Sequence, residues 1–221
     1  MSALAGPSVT IVSVNVALPK VLATAPNGQQ IWSAIGKVPV TVPELELTRT
    51  NLSGDAQADL EVHGGPDKAV YAYPADHFPV WSEQLGRPFG PGSFGENLTT
   101  LGATETDTFI GDQWQWGEAV LEVAQPRTPC FKLTVHAGTA DVGRRMRQTG
   151  WSGWYLRVVT PGTVPTSGSI AVRHHPARIS VRDITRAAGS HDTDLLDRLA
   201  AFEPLAAEWR SHLADLAVSR G

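Results

Sequence analysis

A single cysteine, Cys130, in 221 residues leaves no partner for a disulfide within the chain, which fits a reducing compartment. The same scarcity excludes CxxC zinc sites and an intrinsic iron–sulfur cluster, each of which needs several thiolates. No apolar run reaches the roughly 18 residues needed to cross a bilayer. The N-terminal MSALAGPSVTIVSVNVALPK also lacks a basic stretch ahead of its apolar part, so no secretory leader is expected. A cytoplasmic protein with no membrane partner is the resulting expectation. There is no excess of positive charge either: 18 Lys and Arg against 22 Asp and Glu give a net charge of -4. That balance offers no global attraction for nucleic acid, and residues 175–221 carry six Arg and no Lys against seven acids, so no nucleic-acid partner is expected there. A GxGxxG fingerprint for a dinucleotide is missing as well.

Glycine and proline are plentiful, at 21 and 16 residues, and they break the chain into short pieces with many turns. VTIVSVNVA (9–17) is β-branched, and KVPVTVPELEL (37–47) alternates apolar and polar positions, so both read as strands. LEVHGG and KAVYAYP read as strands around a Gly-Gly-Pro turn. PADHFPVWSEQLG places Phe78, Trp81 and Leu85 at helical spacing before Gly86. NLTTLG, TDTFIGDQWQWG, AVLEVAQPR, GWYLRVVTPGTV and SGSIAVRH supply further strands, with a helix over 138–149. Trp114, Trp116, Trp151 and Trp154 are expected to pack the core or the barrel ends. After His175 the period changes, and three short helices are predicted, starting at Ser180, Asp192 and Glu203-Pro204. The fold expected is mainly β (α+β): a β-barrel domain over 1–174 and a three-helix module over 175–221.

Three segments carry candidate chemistry. In QPRTPCFKL (125–133) a proline fixes the backbone entering Cys130, and Arg127 and Lys132 would favour its thiolate. From Arg127 to Arg147 there are five basic residues against Asp141, a local net of +4 suited to a small anion. A held thiolate can be a nucleophile, a sulfur carrier or a soft-metal ligand, while a lone cysteine is also commonly a small buried hydrophobe. HGGPDK (63–68) brings backbone close to whatever lies above its turn, with His63 and Lys68 as polar flanks, but its spacing is not that of a P-loop. PGSFGEN (91–97) could offer backbone N–H groups or serve as a connection. Asp55 and Asp59 are two further carboxylates, four apart in a loop.

Taken in order, GDAQADLEVHGGPDKAVYAYP, PGSFGENLTTLG, IGDQWQWGEAVLEVAQPRTPCFKL and GWYLRVVTPGTV resemble the MOSC domain family, and within it the hydroxylaminopurine-resistance branch. The resemblance spans roughly residues 8–173, and the last 45 residues resemble the three-helix module of that branch. It implies a small β-barrel binding a molybdenum–pterin cofactor with Cys130 as the protein ligand to molybdenum. Lys68, Asn97, Arg127, Thr128 and Lys132 are then candidates for the cofactor's phosphate and pterin, and His63 or Asp59 for proton handling. The implied reaction reduces N-hydroxylated compounds to amines, with electrons from a separate reductase. The helices would pack or dock, towards that reductase or a second subunit in a homodimer. A rival role in the family is sulfur carriage by a Cys130 persulfide. One departure is Ser169 after Gly168, where the family commonly has aspartate.

Overall fold

A computed structural model of the chain describes residues 6–56 and 65–221. Strand β1 (Ser8–Val16) is followed by β2 (Lys20–Thr24), β3 (Gln30–Ser33), β4 (Val38–Pro39) and β5 (Glu44–Leu47). Then come β6 (Val70–Pro74), helix α1 (Phe78–Leu85), β7 (Leu98–Leu101), β8 (Gln113–Trp116) and β9 (Ala119–Pro126). Helices α2 (Phe131–Ala137) and α3 (Asp141–Thr149) precede β10 (Trp154–Thr160), β11 (Gly162–Pro165) and β12 (Gly168–Arg173). Helices α4 (Val181–Ala187), α5 (Thr193–Ala200) and α6 (Ala207–Arg220) follow. No helix among the described residues is long and apolar enough to cross a membrane.

Seven strands close into the expected barrel, in the order β1, β12, β8, β9, β10, β6, β7 and back to β1, with β6 and β7 the parallel pair. Strand β6 explains how two cores arise from one sheet. All five of its residues are buried, because successive side chains point to opposite faces and both faces are covered. Val70 and Ala72 join the barrel interior with Trp114, Leu121, Val123, Trp154 and Leu156. Tyr71 and Tyr73 join an outer aromatic layer with Phe78, Trp81, Phe94 and Leu133. In that layer Tyr73 stacks on Phe94 at 4.0 Å and accepts a hydrogen bond from Trp81 Nε1 at 2.7 Å, so the phenol is buried with its polar tip satisfied.

Helices α4 and α5 begin where their caps predict. Ser180 forms a capping box with Asp183, and Asp192 accepts from Leu195 N. Helix α6 begins at Ala207, later than the Glu203-Pro204 start, because the chain first ties itself to the barrel: Ala206 N donates to Ala124 O at 3.0 Å. Val181, Ile184, Leu196, Trp209 and Leu213 belong to the same apolar cluster as the barrel interior.

Other elements also differ from expectation. The stretch 37–47 is two strands: β4 pairs with β1 and β5 with β11. Pro39 and Pro43 have no N–H to donate, so the run changes sheets instead of continuing one ladder. The helix expected over 138–149 starts at Asp141, since Gly138 at φ 66 ends a separate helix, α2. Helix α2 was unexpected because Thr134, Val135 and Phe131 are mediocre helix formers. Leu133 and Ala137, four apart, bury one face in the aromatic layer and override that propensity.

Gly153, just before β10, has φ 64, and a Cβ there would lie 2.3 Å from Ala72 O and 2.9 Å from Tyr71. Strain and overpacking add, so Gly153→Ala should cost about 2–5 kcal/mol, read as a lower urea midpoint in equilibrium unfolding.

Candidate functional site

The site begins with an irregularity in β9. Its pairing with β10 runs Leu156 to Val123 and then Tyr155 to Gln125, which leaves Ala124 as an extra residue. Such a bulge reverses the alternation beyond it. Leu121 and Val123 point into the barrel, and strict alternation would send Gln125 there too. Paired instead with Tyr155, Gln125 shares the outer face with it. Arg127 comes two residues later on that face. Its N–H donates to Gly153 O at 3.3 Å.

Beyond Arg127 the chain turns through Thr128 and Pro129, and Cys130 stands at the start of α2 with extended φ −110 and ψ 170. Cys130 is half-buried. It lies where two cavities meet. The smaller, about 100 Å³, reaches towards Ser33, Lys37, Asp55, Asn97 and Lys132. The larger, about 740 Å³, opens between the barrel and the last helices, past Gln125, Thr128, Arg147, Trp209 and His212. Lys68, Arg127, Cys130 and Tyr155 line both.

Positive charge is concentrated at that junction. Arg127 is 6% exposed, its guanidinium 5.3 Å from the Tyr71 ring centroid and its Nη1 3.5 Å from Met146 Sδ. No carboxylate lies within ion-pair distance of Arg127 among the described residues. Burial works to lower its pKa, but Tyr71, Tyr155 and Cys130 outweigh it and hold the charged form above the ordinary value. Burial raises the Tyr155 pKa against the pull of Arg127, so this phenol keeps its proton at neutral pH. Lys68 sits at the end of a short 3₁₀ turn, Pro66–Lys68, and pairs with Glu208 of α6 at 2.5 Å. Arg157 pairs with the neighbouring Asp67 at 2.7 Å and steadies that turn.

The structure brings Lys68, Asn97, Arg127, Cys130 and Lys132 around the smaller cavity and adds Thr128, an exposed residue, to the larger one. Asp59 and His63 lie outside the described residues. Asn97 is engaged by the protein: it donates to Asp55 Oδ2 at 2.8 Å and accepts from Tyr71 N at 3.2 Å, which fixes the cavity wall. Asp55 is not a bare carboxylate. It pairs with buried Lys37 and accepts from Ala17 N at 2.9 Å. Nor is PGSFGEN an open anion cradle, since Gly92 N and Phe94 N both donate to buried Glu96, at 2.6 and 3.0 Å.

Among the described residues no group of three or more His, Cys, Asp or Glu is placed to hold a metal ion. One half-buried thiol beside the buried Arg127 guanidinium instead suits a metal that arrives already chelated by an anionic cofactor. The molybdenum–pterin group fits that donor set.

Gln125, Tyr71, Tyr155, Lys37 and the α6 residues Glu208, Trp209 and His212 were not singled out from sequence. For Tyr155 a signal existed: it alternates with Trp154 and Leu156, so it had to face away from the barrel core. For Gln125 the same rule pointed the wrong way, because the bulge is invisible to periodicity.

A model of the MOSC domain family matches residues 59–172. The chain is 39% identical over 206 residues to the uncharacterized protein YflK of Bacillus subtilis, covering 91% of each. It is 34% identical over 173 residues to a protein of Gibberella moniliformis named reductase, covering 76% of this chain and 30% of that protein. The crystal structure of YiiM from Geobacillus stearothermophilus superposes with a TM-score of 0.79 at 32% identity, covering 95% of this chain and 99% of that one.

Proposed function

Because the chain belongs to the MOSC domain family, we propose that it is a molybdenum-cofactor-dependent oxidoreductase that reduces N-hydroxylated compounds, including N-hydroxylaminopurines. The reaction takes R–NHOH, two electrons and two protons to R–NH2 and water. What supports the reading is Arg127: a buried guanidinium with no carboxylate partner among the described residues, on the wall where two cavities meet at the half-buried thiol Cys130. Leaving such a charge uncompensated is costly, and an anionic ligand relieves the cost. The fungal relative named reductase points to the same class of chemistry.

When bound, the cofactor supplies the two-electron redox centre and the acceptor for the substrate oxygen. The chain's own work is narrower. Cys130 Sγ holds the metal, and Arg127 and Lys68 hold the anionic part of the cofactor, with Thr128 and Lys132 at the edges of the two cavities. Tyr155 keeps a proton on Oη beside them, and His63 or Asp59 would complete the proton supply. The larger cavity gives the substrate a partly dry approach. Electrons come from a separate reductase, as the chain has neither a dinucleotide fingerprint nor cluster cysteines.

Elemental analysis of protein made in a cofactor-competent host tests the reading, together with turnover of an N-hydroxylated purine by a supplied reductase. A sulfur carrier, by contrast, would hold a persulfide on Cys130 and no stoichiometric metal. Arg127→Leu should lower molybdenum content at least tenfold and abolish the thermal stabilisation that inorganic phosphate gives the cofactor-free protein. Arg127→Lys should fall between, keeping the charge but losing the planar fork. Unchanged metal and phosphate responses in Arg127→Leu would remove the anion assignment.

A further inference from the structure

Gln125 is 3% exposed, and its side-chain Oε1 is buried with no hydrogen-bond partner among the described residues. It lines the larger cavity together with Arg127 and Cys130. An unpaired buried amide oxygen is expensive, and a protein that gained nothing from it would be more stable with an apolar side chain of the same size. The bulge at Ala124 is what sets the side chain in the cavity wall, since without it the amide would enter the barrel. Beside it stands a rigid flat surface. Trp209 of α6 is held to the same strand by its indole N–H, which donates to Pro126 O at 3.2 Å, and it borders the same cavity. Tyr155, opposite Gln125 in the ladder, supplies a second ring.

A carboxamide presents one donor and one acceptor side by side, whichever way it is turned. Its complement is an edge with an acceptor and a donor in the same order, which a ring amidine or amide provides. We propose that Gln125 is the reading head for a flat amino-heterocycle, pairing with its amidine or amide edge while Trp209 and Tyr155 confine the ring. This rests on the larger cavity being the reaction site proposed above. The edge could belong to the pterin of the cofactor or to the heterocycle of an N-hydroxylated substrate, and both have the required chemistry.

Gln125→Met keeps the volume and removes both hydrogen-bonding groups. Cofactor-free Gln125→Met should melt about 2–4 °C above wild type, because the orphaned acceptor is gone. If the edge is the pterin's, molybdenum and pterin content should fall at least tenfold in the variant. If the edge is the substrate's, content should hold while KM for an N-hydroxylated aminopurine rises at least tenfold with little change in kcat. Calorimetric titration of adenine into cofactor-free protein is a readout free of the metal: heat with wild type that vanishes in Gln125→Met supports the assignment even if no molybdenum is ever found. A lower melting temperature in Gln125→Met marks a structural amide and overturns the proposal. So does a variant whose metal content, KM and adenine response all match wild type.

Discussion

Protein carrying Cys130→Ser is expected to lose its molybdenum, from about one per chain to background, while remaining folded. A serine oxygen is a much harder donor than a thiolate and stays protonated at neutral pH, so it cannot replace sulfur on a soft-ligated metal. Turnover of N-hydroxylated substrate should fall by at least about 100-fold, the scale on which loss of a directly acting group is felt. Stability should move the other way or not at all. Cys130 is half-buried and occupies the N-cap of α2 with extended backbone angles, the geometry in which serine is a preferred cap, worth about 0.5–2 kcal/mol over a non-capping residue. Elemental analysis and thermal melting on the same preparation separate the effects. Full metal retention in the serine protein would sink the ligand assignment, and unfolding would reveal a packing role instead.

Asp55→Ala should be among the most destabilising single changes near the site, at about 3–5 kcal/mol. The carboxylate is almost wholly buried against Lys37, with side-chain exposures of 3% and 8%. It also accepts from Ala17 N and Asn97 Nδ2. Removing it strands an ammonium that already struggles: burial holds the Lys37 pKa below its usual 10.5 despite the attraction of Asp55. The pH dependence has a definite sign. A lysine whose folded pKa is depressed binds fewer protons folded than unfolded across the interval up to 10.5, so stability rises with pH there. In Asp55→Ala the folded Lys37 pKa drops further and that interval widens downward. The deficit relative to wild type should therefore shrink as the pH is raised towards 10.5, as urea unfolding at a series of pH values would record. Lys37→Met combined with Asp55→Ala should recover much of the loss, because the stranded charge goes too. A deficit that grows with pH would place the damage elsewhere.

The barrel and the thiol are legible from the residues. The β-branched run VTIVSVNVA and the segment GWYLRVV mark strands that appear as β1 and β10, and the basic cluster around QPRTPCFKL draws attention to Arg127 and Lys132 beside the only cysteine. Less legible is whatever depends on tertiary context. Lys37 and Asp55 are 18 residues apart and meet only because β1, the segment after β3 and the loop after β5 converge. Helix α2 exists because Leu133 and Ala137 find an aromatic layer to bury against. The starts of α4 and α5 are readable from their caps, whereas α6 has no side-chain cap and begins after Glu203-Pro204. Trp209 gives no sequence hint that it will reach back to Pro126 and wall the cavity.

The extra residue at Ala124 gives the strand a parity. With Val123 in the apolar interior, an unbroken ladder would return Gln125 and Arg127, two and four residues on, to that interior, and the extra residue moves them to the face of Tyr155. A one-residue deletion between Gln125 and Arg127 would leave composition almost untouched yet turn the Arg127 guanidinium towards Trp114, Trp154 and Leu156. Length in this short stretch is therefore as constrained as identity.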